Sequence, residues 1–372
     1  MPYFTYGKGL GIGSPDSLFL LNIRFRMQNR FALESKSESD LSINEVEARV
    51  RRLRLRFDGF VYSKQLTYVI QLSFSRADMD YDILNIPNVV RDAMIFYSPS
   101  QKFTLGLGQT KLPGNRQRVN SSGDLQLADR SIVNSTFNID RDFGVQAFYR
   151  DNCGRMHYVA RVALSSGEGR NFNSSDNGMA YTGRLEILPL GTFKNNGDYF
   201  EGDLEREISP KIAFGVSYNK NLNAVRTGGQ LGKFLYQPRD IETSMADFIL
   251  KYRGFAFMME YIYRYAHNPI TIDATTNDVK YVYTGYGQNY QASYLFKNNI
   301  EITGRYSEIS PKGLVKNYER NIKQYTVGAS KYFKGHRVKF QTDLTYEEGL
   351  SKSINLSSAN NWQLRFQFEL GI

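Results

Sequence analysis

The feature that most constrains this chain is an apolar/polar alternation of period two. It recurs in segment after segment and runs longer than an ordinary half-buried strand requires. Near the C-terminus Trp362, Leu364, Phe366, Phe368 and Leu370 alternate with Gln363, Arg365, Gln367 and Glu369. In mid-chain Phe255, Phe257, Met259, Tyr261, Tyr263 and Tyr265 form a similar face, opposite the less cleanly polar Ala256, Met258, Glu260, Ile262 and Arg264. Sixteen such segments are expected: 18–31, 44–58, 65–76, 89–98, 101–111, 141–150, 155–165, 179–188, 209–219, 243–253, 254–265, 281–296, 300–308, 321–333, 336–347 and 361–372. Most reach the ~9–11 residues that a tilted strand needs to cross hydrocarbon.

The connections have their own rhythm. Those after odd-numbered segments are long and polar, as in 112–140, 220–242, 266–280 and 348–360. Most of those after even-numbered segments are tight, such as Ser98-Pro99-Ser100, Asp151-Asn152-Cys153-Gly154 and Lys334-Gly335. Long loops on one side and short turns on the other are the habit of outer-membrane barrels. Residues 189–208 break the rhythm, as an insertion or as a sign that the strand count fails there.

No run of 18 apolar residues occurs, which excludes a helical membrane span but not a barrel that meets lipid with every second residue. A soluble barrel with this period would bury its apolar faces, and bulky side chains fill only a narrow barrel. The polar faces here suit a wide lumen, and the 26 Tyr and 25 Phe suit interfacial aromatic girdles. The expected fold is all-β: a sixteen-stranded antiparallel transmembrane β-barrel with long outer loops and short periplasmic turns. It forms a single domain over residues 1–372, with 1–17 as a flexible periplasmic lead-in. Export would require a signal peptide already removed, since no charged and apolar leader opens the chain.

Little points to catalysis, metal or cofactor. Cys153 is alone, and His157, His267 and His336 are far apart, each near a turn and read as a surface residue. No Gly-x-Ser-x-Gly elbow is present, and Gly7, Gly9, Gly11 and Gly13 lack the strand and helix of a phosphate cradle. The +10 formal charge comes without a basic helix or aromatic-basic module, so no nucleic-acid partner is expected.

Alternation assigns the lumen residues. Ile23, Phe25 and Met27 face lipid, so Arg24, Arg26, Gln28 and Arg30 face inward. In the next segment Leu53, Leu55 and Phe57 face lipid, placing Arg52, Arg54 and Arg56 inward; upstream, Val46, Ala48 and Val50 put Glu47, Arg49 and Arg51 inward. The phase slip between Arg51 and Arg52 predicts a β-bulge. Each arginine on the lipid side would cost ~2–4 kcal/mol at the midplane, which fixes the orientation. Their planar forks suit oxyanions, and a row of moderate sites passes an ion along without trapping it. A generic charged lumen that offsets Glu45 and Glu47 is the alternative.

Residues 112–140 are long enough to fold inward as a constriction. Lys111, Arg116, Arg118, Arg130 and Arg141 are there nearly balanced by Asp124, Asp129, Asp140 and Asp142, with Asp129-Arg130 and Arg141-Asp142 as candidate neighbour pairs. Further inward pairs of mixed sign are Arg184 with Glu186, Asp247 with Lys251, Glu260 with Arg264, and Glu301 with Arg305.

The stretch Glu47–Arg161 resembles the phosphate-selective porin O and P family. The resemblance rests on Val50-Arg51-Arg52-Leu53-Arg54-Leu55-Arg56-Phe57-Asp58-Gly59 and on Arg91-Asp92-Ala93, leading to Gly108-Gln109-Thr110-Lys111-Leu112-Pro113. It rests further on Asp129-Arg130-Ser131 with Arg141-Asp142-Phe143-Gly144, and on the opening Gly7-Lys8-Gly9-Leu10. The chain departs from the family at Gly114, where an aromatic is common, and at its Gly371-Ile372 end. The resemblance implies a homotrimeric barrel in the bacterial outer membrane, surrounded by its lipid, with an inward-folded third loop. Small inorganic anions, with phosphate as a candidate, would be its passengers, without a cofactor. A weakly selective general porin, or a plugged structural or partner-binding barrel, would share most of these features.

Overall fold

The computed structural model describes residues 2–5, 9–81, 87–172, 178–350 and 359–372. Strands β1 (Pro2–Thr5) and β2 (Gly9–Gly13) form a short N-terminal hairpin. Next come β3 (Phe19–Ser35), β4 (Ile43–Val61), β5 (Ser63–Ser73), β6 (Val90–Tyr97), β7 (Phe103–Lys111), β8 (Arg141–Cys153), β9 (Met156–Ser165) and β10 (Ala180–Leu188). The second half holds β11 (Lys211–Arg226), β12 (Phe234–Tyr252), β13 (Phe255–Ala266), β16 (Gly285–Leu295), β17 (Ile300–Pro311), β18 (Asn321–Lys334), β19 (Val338–Leu350) and β20 (Ala359–Gly371). A minor hairpin, β14 (Ile270–Ile272) with β15 (Val279–Tyr281), sits in an outer loop. Each long strand pairs antiparallel with the next, and β20 returns to β3 from Gln363↔Glu34 to Gly371↔Arg26, closing a sixteen-stranded ring without a free edge.

Burial is inverted relative to a soluble protein. Phe214, Val327 and Phe368 are 49%, 64% and 42% exposed on the outer wall, whereas Arg116, Arg264 and Lys339 are fully buried inside. Among the described residues no helix is long and apolar enough to cross a membrane. Tyr290, Tyr306, Tyr325, Tyr346 and Trp362 lie directly opposite one another on successive strands, with ring centroids 4.7–6.4 Å apart. This stripe is an aromatic girdle of the kind that marks a membrane interface.

Turn chemistry follows the short side. Arg253 and Gly254, both with positive φ, make the two-residue turn between Tyr252 and Phe255 that matches strand twist. Residues 1–17 are more than a lead-in, because Leu10–Gly13 pair with Leu20–Ile23 and extend the seam where β20 ends. Gly9 makes that approach possible: its φ is +83°, and a Cβ there would stand 2.1 Å from the Ile23 carbonyl oxygen. Gly7 and Lys8 lie outside the described residues, as does 351–358 of the expected loop 348–360.

One expectation about the connections needs correction, and one open alternative is decided. Residues 220–242 are mostly strand: β11 and β12 rise as a tall hairpin around residues 227–233. Beyond the bilayer the outer face no longer needs to be apolar, so the alternation that revealed the lower part fades. The 189–208 irregularity is an insertion on the periplasmic side, and the strand count stands.

Candidate functional site

The arginine wall is built as alternation requires, and Arg51 is the extra residue of a bulge: Gln28 pairs with Arg52 and Asn29 with Val50. The eight wall arginines then divide by partner. Arg30, Arg51 and Arg52 converge on Asp129 at 2.8, 3.4 and 3.1 Å. Arg24 and Arg56 share Asp58 nearer the periplasmic end. Arg26 bonds Ser122 at 2.7 Å and lies 3.7 Å from Glu369. Arg49, half exposed toward the outer end, pairs with Glu47 at 2.8 Å. Arg54 meets Asp78 at 2.5 Å.

Residues 112–140 lie inside the barrel, with α1 (Arg116–Val119) and α2 (Ile132–Phe137) as short helical turns. An apolar nucleus of Leu112, Val133, Phe137 and Ile139 packs on the inward-facing Met245 and Ile262, which accounts for the impure polar face of β13. The remaining wall reaches the loop's backbone: Lys339 Nζ donates to Gly123 and Leu125 carbonyls, Gln341 to Leu127, Arg264 to Phe137, and Arg305 to Asp129.

This docking overturns most of the expected charge pairs. Arg184 does meet Glu186 at 2.5 Å. Lys251 instead donates to the carbonyls of Gly197 and Phe200, Glu260 accepts from Gln117 N, and Glu301 accepts from Gln126 and Ser293. Residues four apart on a strand are separated by ~13 Å, too far to pair, so each serves the loop at its own level. Asp129 binds the wall rather than Arg130. Arg141 pairs with Asp92 at 2.9 Å, while Asp142 accepts from Gly167 N and Ser166.

The periplasmic insertion also enters the lumen. Phe193 packs with Leu188, Ala213, Ile249 and Met258. Glu201 accepts from Gln126 N at 3.0 Å and from Gln117 Nε2 at 3.1 Å, bracing the loop from below. His336, read from sequence as a surface residue, packs against Phe200 and Tyr332 and lies 3.1 Å from the Glu201 carbonyl. Arg116, fully buried between Asp247 (2.9 Å) and Glu186 (3.5 Å), is a strut rather than a lining residue.

The periplasmic insertion occupies the β10–β19 side, and four cavities succeed one another through the lumen, the middle two lined in part by the arginine wall. An outer one of about 620 Å³ shares Ser135, Asn138 and Leu231 with one of about 480 Å³. That cavity shares Arg54, Arg91, Arg118 and Arg130 with one of about 390 Å³ below it. A vestibule of about 790 Å³ beside the periplasmic turns completes the series. The four shared arginines therefore ring the passage between the upper and lower halves. Apart from the ring itself, the upper cavity sets Arg51, Arg52, Arg170 and Arg365 against four Asp, and the lower one sets Arg56, Lys111 and Arg141 against two; with the ring included, eleven Lys or Arg face six Asp.

Three ring members have carboxylate partners. Asp78 takes Arg54 and, at 3.2 Å, Arg91; Asp140 accepts from Arg118 at 2.7 Å. Burial would raise these carboxyls and Asp129, but the adjoining arginines outweigh it and hold all three well below the usual carboxylate range. Arg130 differs. It donates to the Gln117 and Asn120 carbonyls at 2.5 and 2.9 Å and has no carboxylate partner among the described residues. Burial, with Arg118 and Arg52 nearby, disfavours its charge. A guanidinium nevertheless stays protonated, so the cost appears as uncompensated positive potential.

Arg91 was missed as a site residue although its signal was legible. Two adjacent charges, Arg91 and Asp92, interrupt an alternating strand just as Arg51 and Arg52 do. Here too the ladder slips, with Gln71 opposite Asp92 and Leu72 opposite Val90. Asp78 and Tyr199, by contrast, reach the site from connections with no period to read.

Comparison with known proteins agrees with this architecture. No curated protein matches the sequence. The fold resembles the outer membrane channel DcaP of Acinetobacter baumannii (TM-score 0.56, 10% identity, 97% of this chain and 99% of that one). It also resembles an anion-selective porin from Comamonas acidovorans (TM-score 0.54, 11% identity, 95% and 99%). A third likeness is to the trimer form of in-vitro folded OmpT of Vibrio cholerae (TM-score 0.51, 12% identity, 94% and 99%). At such identities these likenesses speak for the fold alone. The family described as phosphate-selective porin O and P matches residues 21–370. The chain belongs to that family, and it is a porin of the bacterial outer membrane.

Proposed function

We propose that this porin passes small inorganic anions, phosphate among them, in preference to cations, and that Arg54, Arg91, Arg118 and Arg130 form its selective ring. The observation that carries the proposal is that the two cavities meeting at the ring are lined by eleven Lys or Arg and six Asp, an excess supplied mainly by the ring itself. An anion leaving one guanidinium finds the next within the same cavity, which favours passage over capture. The outer apolar face would be covered by lipid, and the chain would assemble as a homotrimer, as OmpT does in its trimer form.

Two observations favour other readings. Asp78 and Asp140 compensate three of the four ring arginines, which fits a weakly selective pore. The two lumen inserts fit a plugged scaffold. Single-channel recording in a KCl gradient separates the three. Reversal near the chloride potential, with current inhibited by added phosphate, is the expected result. Reversal near zero favours the general pore, and a lack of steady conductance favours the plug. Light scattering in detergent tests the trimer.

A further inference from the structure

The periplasmic vestibule differs in chemistry from the cavities above it. Its wall includes Phe96 of β6 and Phe148 of β8, whose rings meet across the intervening β7 with centroids 6.0 Å apart in an edge-to-face arrangement. Arg161 lies over the Phe148 ring at 5.8 Å and over Tyr199 at 5.0 Å, with the Tyr199 hydroxyl bonded to Arg161 and Glu186. Apolar Val119 from the constriction loop faces the same space. At the junction with the cavity above stands Lys111, whose ammonium donates to the Val119 and Asn120 carbonyls at 2.9 Å and has no carboxylate partner among the described residues. Inorganic anions have no use for exposed aromatic rings inside a pore, and each such ring forgoes a polar contact with lumen water.

We infer that this vestibule is a subsite for organic anions with an aromatic body and a carboxylate. The ring would lie against Phe96 and Phe148, and the carboxylate would point at Lys111 on the way to the arginine ring. The inference rests on the proposed anion selectivity and extends it to a class of passenger. The volume, about 790 Å³, is in the range of small-molecule sites and leaves room for water beside a one-ring ligand. Aromatic packing supplies the affinity that a bare carboxylate lacks, and the cation sets the orientation.

Benzoate and acetate test this, because they share a carboxylate and differ in the ring. Each is titrated from the periplasmic side against chloride current through the folded porin in a planar bilayer. Benzoate is expected to halve the current at roughly five- to tenfold lower concentration than acetate. Phe148→Ala is expected to bring that ratio close to one. Equal inhibition by the two anions in the unaltered pore overturns the subsite while leaving the anion reading intact. A ratio that survives Phe148→Ala overturns the placement. A reversal potential on the cation side removes the anion reading and this inference with it. Should Phe148→Ala fail to give a heat-modifiable folded band, Phe96→Leu carries the same comparison.

Discussion

Arg130→Gln isolates the charge of the ring more cleanly than any other substitution. Removing Arg54 or Arg91 would strip Asp78 of a partner, and removing Arg118 would leave Asp140 to Arg141 alone, 3.4 Å away. Among the described residues Arg130 has only carbonyl partners, so its loss changes the local charge by one without stranding a carboxylate there. A unit charge acting at ~4 Å is worth about 1 kcal/mol in bulk water and about 4 kcal/mol at an effective dielectric constant of 20. The lower figure suits a wet lumen. It favours the anion and disfavours the cation, so their ratio shifts by about 2 kcal/mol, or roughly thirtyfold, before screening. At ~0.1 M salt the Debye length is about 10 Å, so most of this survives and a fall of order tenfold in chloride-over-potassium permeability is expected. The assay is the reversal potential of single channels in a shallow KCl gradient, with heat-modifiable electrophoretic mobility as the check on folding. The two lost carbonyl bonds cost about 1 kcal/mol each, which a closed barrel tolerates. A folded variant with an unchanged reversal potential would refute the assignment of the ring.

Two further outcomes are expected. Asp129→Asn removes the charge on which Arg30, Arg51 and Arg52 converge and leaves two buried guanidinium groups and the partly exposed Arg51 facing a neutral amide. The weakened loop anchor should appear as noisier, larger open-channel current, and steady current of ordinary size would contradict it. Acid should do little over a wide window. Asp78, Asp129 and Asp140 are held below the ordinary carboxylate range, so their stabilisation is complete above the unfolded value of about 3.9 and is lost only as pH falls through the lower folded values. The carboxyl resonances of these three residues should therefore show no transition between pH 7 and pH 4, and a transition of any of them between pH 5 and 6 would contradict the pairing.

Where the sequence was legible, the reason was solvent. Lipid outside and water inside impose opposite demands on successive residues, so each strand carries its own orientation. Strands, ring closure, the inward face of Arg24 to Arg56 and the bulge at Arg51 could all be read from neighbours in the chain. The tall hairpin of β11 and β12 escaped because it rises where no lipid enforces the pattern.

The site itself was only half written there. Sequence placed Arg54 in the lumen and Arg118 and Arg130 on a loop long enough to enter it, but the identity of each partner depended on contacts between residues far apart in the chain. Asp129 passed over its neighbour Arg130 to meet three wall arginines, and Asp78 came from another loop to hold Arg54 and Arg91. The inward turn of residues 189–210 decided which side of the lumen stayed open. Alternation is a local rule set by the medium a side chain meets, whereas charge neutralisation depends on distance in space, and that distance exists only once the barrel has closed and its loops have folded in.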